Sequence, residues 1–229
     1  MQKTFHYSFK NKLFKVECNG IEMFFAENPF HLFQRDRDYF LQYKLKEGDT
    51  AIDAGAFIGV FSIYASKLVG TTGKVFSFEP DLNMLKRFRK HVELNNATNI
   101  HVIEKGLWST ETTLVFRGGL ELGSSFIKGD DEGETIKLPV TSVDAVLGNQ
   151  QVTGQLFIKM NIEGSEIEAV KGAAQTIQKY KPYFAIRTNH MVEGSFTDKR
   201  VEEELKTFNY KVKTLEQGVV ELTTYGQPA

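Results

Sequence analysis

The stretch that most constrains this chain runs from Gly48 to Gly59 and reads GDTAIDAGAFIG. The apolar run Thr50-Ala51-Ile52 leads into D-x-G-x-x-x-G at Asp53 to Gly59, and from Val60 the spacing of Ile63, Tyr64, Lys67 and Leu68 is helical. Strand, tight turn and helix together make the unit that opens a nucleotide-binding βαβ fold. Gly55 permits the turn and the approach of a ligand. Gly59 lets the helix pack near the strand, and the helix N-terminus presents free N–H groups.

The chain after this turn keeps a regular rhythm. Lys74 to Glu79 alternates as a second strand ending at Pro80, and Asp81 is placed to cap a helix carrying Leu85, Phe88 and Val92 that ends at Asn95-Asn96. Ile100 to Glu104 makes a third strand. Leu156 to Ile162 is a strongly apolar strand, followed by Glu163-Gly164 and one helix with Ile167, Val170, Ala174 and Ile177 on a face. Tyr183 to Ile186 is the next strand and runs into Arg187-Thr188-Asn189-His190, before a helix with Val201, Leu205 and Phe208. The last two strands, Tyr210 to Leu215 and Val219 to Thr223, are joined by Glu216-Gln217-Gly218, a link short enough to demand a hairpin. The spacing therefore predicts an α/β fold: a mostly parallel sheet with helices on its faces and an antiparallel pair at its end.

Two regions break the rhythm. Residues 1–47 read as an aromatic-rich N-terminal cap on a core domain at 48–229. Its short strands lie around Phe5, Tyr7 and Phe9, around Leu13, Phe14 and Val16, and at Ile21 to Phe25, with helical spacing after Phe30. Its aromatics are core residues by default, and a cap beside a cofactor cleft also lines substrate pockets. Thr112 to Phe116 and Ile136 to Val140 read as strands and Thr141 to Leu147 as a short helix. Between the strands, Arg117 to Glu134 holds five glycines among acidic residues, which suits a mobile loop over a site and a solvated hairpin tip equally.

Composition narrows the classes. A chain of 229 residues with 41% apolar content suffices for one sizeable core, and a net charge of −1 sets up no overall field toward nucleic acid or an anionic membrane. No basic, aromatic-interleaved stripe stands out, so nucleic acid is not the expected partner. Cys18, the single cysteine, cannot form an internal disulfide, which favours a cytoplasmic setting. No run approaches the roughly 18 apolar residues of a membrane span, and MQKTFHYSFKNKLF lacks the apolar core of a signal peptide. His6, His31, His91 and His101 show no ligand spacing, so no metal is expected. Oligomeric state is not legible.

In open α/β sheets ligands bind beyond the carboxyl ends of the strands. Those ends carry Asp53 and Gly55, Glu79, Glu104 to Gly106, Asn161 and Glu163, and Arg187 to His190. Glu79 stands 24 positions beyond Gly55, near the offset of about 20 at which an acid accepts hydrogen bonds from a ribose.

The runs GDTAIDAGAFIGVFSIYASKLVG, GKVFSFEPD, LNN, LPVTSVDAVL and above all IKMNIEGSEIEAVKGA resemble the FkbM family of S-adenosylmethionine-dependent methyltransferases from about Gly48 to Tyr180, and more loosely beyond. The resemblance implies a Rossmann-like class I methyltransferase fold, a seven-stranded sheet whose last strand is antiparallel. It implies that Asp53, Gly55, Ala56, Phe57 and Gly59 shape the methionine side of an S-adenosylmethionine pocket that Asn161 also borders. Glu79, with Pro80 beside it, would hold the ribose, and Gly106-Leu107 would lie near the adenine. Three positions depart from the family pattern: Phe57 stands for the usual Asn, Asn161 for Asp, and Arg187 for Glu.

Methyl transfer to a hydroxyl needs positioning and removal of a proton. Asn161 can orient an acceptor but cannot act as a base, which leaves Glu163 and His190 as candidate bases. Arg187 would pair with Glu163 or attract an anionic group of a substrate. The resemblance thus implies an O-methyltransferase acting on a small-molecule or saccharide-like acceptor. The alternatives are a homologue that binds cofactor without catalysis and an RNA methyltransferase.

Overall fold

A computed structural model describes residues 5–117, 135–217 and 221–229. The glycine-rich stretch after Arg117 lies outside the described residues.

The chain opens with a three-stranded antiparallel sheet of β1 (Phe5–Lys10), β2 (Leu13–Cys18) and β3 (Ile21–Phe25). Its two turns, Asn11-Lys12 and Asn19-Gly20, have left-handed backbone at both positions, which matches the twist of two-residue hairpins. Val16, Cys18, Met23 and Phe25 are buried. The free edge of β3 is closed by Asn95: its Oδ1 accepts from Phe24 N–H at 2.9 Å and its amide donates to the Phe24 carbonyl at 2.7 Å. α1 (Phe30–Asp36) and a 3-10 turn at Arg37–Phe40 follow.

The main sheet begins with β4 (Thr50–Ala54), α2 (Val60–Val69), β5 (Lys74–Phe78), α3 (Leu82–Leu94) and β6 (Ile100–Ile103). Asp81 caps α3 as the sequence predicts, its carboxylate accepting from the N–H groups of Asn83 and Met84. A small separate sheet then forms from β7 (Gly106–Leu107), β8 (Thr112–Arg117) and β9 (Thr135–Thr141), with β9 between the other two. Trp108 extends it, its N–H donating to the Thr141 carbonyl at 2.8 Å.

The second half supplies α4 (Val143–Leu147), β10 (Leu156–Met160), α5 (Glu166–Lys171), α6 (Ala174–Tyr180) and β11 (Tyr183–Arg187). A two-residue-per-strand hairpin, β12 (Met191–Val192) and β13 (Ser195–Phe196), precedes α7 (Asp198–Thr207), β14 (Tyr210–Gln217) and β15 (Glu221–Pro228). The seven-stranded order is β6-β5-β4-β10-β11-β15-β14, and β15 runs antiparallel to both of its neighbours. This is the predicted sheet with its reversed last strand, but Glu216 and Gln217, expected in the link, continue β14, and β15 runs on to Pro228, past the expected end at Thr223; residues 218–220 lie outside the described residues.

Each face of the sheet has its own core. Phe61, Ile63, Ala65, Phe157 and Ala185 pack with Leu32, Phe33, Tyr39 and Phe40 from the N-terminal segment. On the other face Ile52, Phe76, Ile158, Met160, Phe184 and Ile186 meet Val143, Val170, Ile177 and Leu205. The alternation along β10 and β11 that produces this division is the period-two pattern of a strand buried on both sides.

One expectation needs correction. The single helix predicted after Gly164 is two helices, α5 and α6, broken at Gly172. A side chain at Gly172 would overlap the Trp108 carbonyl, and the Asp144 carboxylate accepts from Gln175 and Thr176 N–H at 2.9 and 2.8 Å, capping a fresh first turn.

Candidate functional site

The strand order reverses between β4 and β10, which makes their carboxyl ends the topological switch point, the position where open α/β sheets bind ligands. Gly55 and Asn161 stand on its two sides. Gly55 has φ +74°, and a Cβ there would overlap the Asn161 carbonyl oxygen. Gly55 thus makes the expected turn, and the close approach of the Asn161 backbone adds a second demand for glycine that the sequence did not show. Gly55 and Ala56 N–H both donate to the Phe78 carbonyl at 3.0 Å, and Asn161 N–H donates to the Ala54 carbonyl at 3.0 Å, so β4, β5 and β10 are tied together at this turn. Gly59, at φ +84°, leaves room for the Phe88 ring of α3 and not, as the sequence suggested, for the strand.

Glu79 completes the turn. Its Oε2 accepts from Phe57 N–H at 2.7 Å and its Oε1 from Asp81 N–H at 3.0 Å. Phe57 holds the left-handed backbone, φ +53°, that aims this N–H. Burial pushes the Glu79 carboxyl above the usual range, and the two backbone donors only partly offset that. Pro80 packs over Gly106, where the small sheet begins, and Leu107 is buried. Gly55, Ala56, Phe57, Glu79 and Pro80 thus lie together at the carboxyl ends of β4 and β5, and Pro80 joins them to Gly106 at the start of the small sheet.

Asp53 sits beneath this edge, fully buried. Its Oδ1 accepts from Lys159 Nζ at 2.8 Å and its Oδ2 from Ser62 Oγ at 2.5 Å, with Ser77 Oγ 2.8 Å beyond. Lys159 Nζ also donates to the carbonyls of Gly55 and Ala54 at 2.9 and 3.3 Å, so Asp53 shapes the turn through Lys159. Burial alone disfavours the ammonium, but Asp53, with Tyr39 and Asp36 behind it, reverses this and holds the pKa above that of a free lysine. Lys159 was not singled out in the sequence, although a lysine inside the buried run LFIKM is the signal that could have found it.

The Tyr39 ring lies between two cations, Lys159 Nζ at 5.5 Å and the Arg187 guanidinium at 5.2 Å from its centroid. Arg187 is 2% exposed and donates to Glu221 at 3.1 Å. This corrects the expected pairing with Glu163. The guanidinium is engaged by Glu221 and Tyr39, so Arg187 forms the floor of this end of the sheet and does not present an open cation to a substrate.

Beyond β10 the loop through Glu163 and Gly164 has left-handed backbone at both residues. It is held by Glu166, a residue the sequence reading passed over, whose Oε1 accepts from Ile162 and Gly164 N–H at 3.2 and 3.3 Å. The same oxygen lies 2.7 Å from His190 Nδ1, and His190 Nε2 lies 3.6 Å from Glu163 Oε2. Burial works against a charged His190, yet Glu166 and then Glu163 outweigh it and raise its pKa, with Arg187 opposing. Glu163, Glu166 and His190 therefore form one cluster, a few residues along from Asn161. Among the described residues no group of three or more His, Cys, Asp or Glu is arranged to hold a metal ion.

Switch point, glycine turn, terminal acid on the second strand and reversed last strand define the class I methyltransferase fold. A family model described as the methyltransferase FkbM domain matches residues 53–212. The chain belongs to the FkbM methyltransferase family. A curated relative, a probable cobalt-precorrin-6B C(15)-methyltransferase (decarboxylating) from Sulfolobus acidocaldarius, is 29% identical over 120 residues, covering 52% of this chain and 60% of its own length. The crystal structure of an FkbM methyltransferase from Methylobacillus flagellatus KT aligns with a TM-score of 0.59 at 22% identity, over 82% of this chain and 46% of that one. Aeropyrum pernix fibrillarin, solved with natively bound S-adenosyl-L-methionine, aligns with a TM-score of 0.55 at 11% identity over 99% of both chains. The chain thus spans about half to three fifths of the length of its FkbM neighbour and its curated relative.

Proposed function

We propose that this chain is an S-adenosylmethionine-dependent methyltransferase acting on an oxygen of a small-molecule or saccharide-like acceptor. The observation that carries the reading is Glu79. Each of its oxygens accepts one backbone N–H and keeps a further lone pair, at the carboxyl end of the second strand and beside the glycine turn. That pair of acceptors fits the two hydroxyls of a ribose, while Gly106 and Leu107 flank the place for an adenine and the Gly55–Gly59 turn the place for a methionine moiety. When bound, the cofactor supplies an electrophilic methyl group. The chain's own residues then orient the acceptor and take its proton. Asn161 offers an amide at the switch point, and His190 Nε2 faces the Glu163 side as the base. Glu166 holds Nδ1 and positions the ring, the logic by which a buried acid sets a histidine's orientation and basicity.

Calorimetric titration with S-adenosylmethionine tests the first half. Binding is expected, and Glu79→Ala should weaken it by at least about thirtyfold through loss of two charge-assisted hydrogen bonds. Absence of binding at millimolar ligand overturns the reading, and binding without turnover across a broad panel of hydroxyl acceptors favours the non-catalytic alternative.

The pH profile tests the second half. A base must be neutral, so kcat/KM should rise with pH through a His190 value lying above the ordinary value of about 6.5. In Glu166→Gln that limb should move to lower pH, with a fall of roughly ten- to a hundredfold on the plateau. An unmoved limb would remove Glu166 from this role even if the variant were less stable.

A further inference from the structure

We propose that the β1–β2 hairpin is a docking element for an anionic phospholipid surface. The whole-chain charge conceals it. Between Phe5 and Cys18 stand His6, Lys10, Lys12 and Lys15 against a single acidic residue, Glu17, which lies opposite His6 at the far end from the turn, in a chain whose net charge is −1. Aromatic residues interleave with these cations, which corrects the expectation that no such stripe stands out.

The fold gathers the aromatics on one side. Antiparallel register sets Phe9 opposite Phe14 and Tyr7 opposite Val16, so Tyr7, Phe9 and Phe14 share the face whose inner part, Val16 and Met23, is buried. Ring centroids are 4.5 Å apart for Phe9 and Phe14, 5.7 Å for Tyr7 and Phe14, and 5.8 Å for Tyr7 and Phe30. They form one ridge. Phe9 is 60% exposed, Phe30 44% and Tyr7 39%. Together they leave roughly 300 Å² of exposed surface, the lower end of the range of the largest apolar patch on an ordinary monomer, a patch that is often functional.

The ridge ends in charge. Lys10 and Lys12 are exposed at a two-residue turn whose left-handed backbone fixes its shape, while Lys15 is paired with Glu22 further back. Aromatic rings at the level of lipid headgroups with lysines beside phosphates are the pairing that a membrane interface selects. A nucleic acid would use the same charges, but it needs flat ring faces on which bases stack. Here the Phe9 and Phe14 rings cover one another at a 40° tilt, and Tyr7 tilts 31° against Phe14. A lipid surface needs the ridge and not the open faces.

Co-sedimentation of the full chain with vesicles decides the matter. Binding is expected to vesicles of phosphatidylcholine mixed with phosphatidylglycerol, weakening as salt rises, and not to phosphatidylcholine alone. Lys10→Glu combined with Lys12→Glu should lower the partition coefficient by roughly thirtyfold or more, about one logarithmic step and a half for two lysines. Phe9→Glu should abolish binding, with circular dichroism melts confirming that each variant is folded. Equal sedimentation of variant and parent, or none with anionic vesicles, overturns the proposal. So does salt-sensitive RNA binding, or a Phe9-dependent dimer through the β1 edge, seen without vesicle association.

Discussion

Replacing Lys159 with methionine is expected to lower the free energy of unfolding by about 3–5 kcal/mol, the usual consequence of removing one partner of a buried ion pair. The change leaves the Asp53 carboxylate fully buried with Ser62 as its one remaining side-chain donor among the described residues, and takes a donor from the carbonyls of Ala54 and Gly55 at the same time. Because the penalty comes from the stranded charge, adding Asp53→Asn should recover a large part of it, since replacing both partners of a buried pair is often close to neutral. Urea denaturation of the two single variants and the double variant measures the cycle. A loss below about 1 kcal/mol in Lys159→Met, or a double variant as unstable as the sum of the singles, would show that the pair does not hold the turn.

Gly55→Ala is expected to cost more than left-handed backbone explains, and to reduce S-adenosylmethionine binding by at least about a hundredfold. The comparison is internal. Gly20 has φ +78°, close to the +74° of Gly55, but a Cβ at Gly20 meets nothing within 4 Å whereas one at Gly55 runs into the Asn161 carbonyl. Gly20→Ala therefore measures the conformational cost alone, about 1–2 kcal/mol. The excess in Gly55→Ala is the cost of driving β4 and β10 apart at the switch point. Equal losses in denaturant would mean that the turn absorbs a methyl group, and the tie between the two strands would have to be abandoned.

Most of the fold was legible because its signals are local. Asp81 reads as a cap from its place just before an amphipathic run, and the short link after Leu215 leaves only a hairpin. The number of strands and the antiparallel last one came with the resemblance to the FkbM family and agree with the rhythm of the strands, whereas their order is read from the structure. What escaped reading depends on partners far along the chain. Gly55 meets Asn161 across 106 positions, and Asp144 caps a helix that begins 30 positions later, so a continuous apolar face concealed a helix break. The place of Glu79 beside the glycine turn was legible from its spacing. Lys159 and Glu166 were not, because each does its work on a neighbouring strand or loop. Arg187 was legible as unusual but not in its pairing, since Glu221 and Tyr39 come from opposite ends of the sequence.

Trp108 gives the molecule a property unrelated to its stability. It is the chain's single tryptophan, it directly follows Gly106-Leu107, and its backbone is fixed to Thr141 on one side and packed against Gly172 on the other. Ultraviolet emission above that of the tyrosines thus originates from one corner of the cleft, the one proposed for the adenine. A change in that emission on titration with S-adenosylmethionine is the label-free outcome that the proposed adenine site predicts.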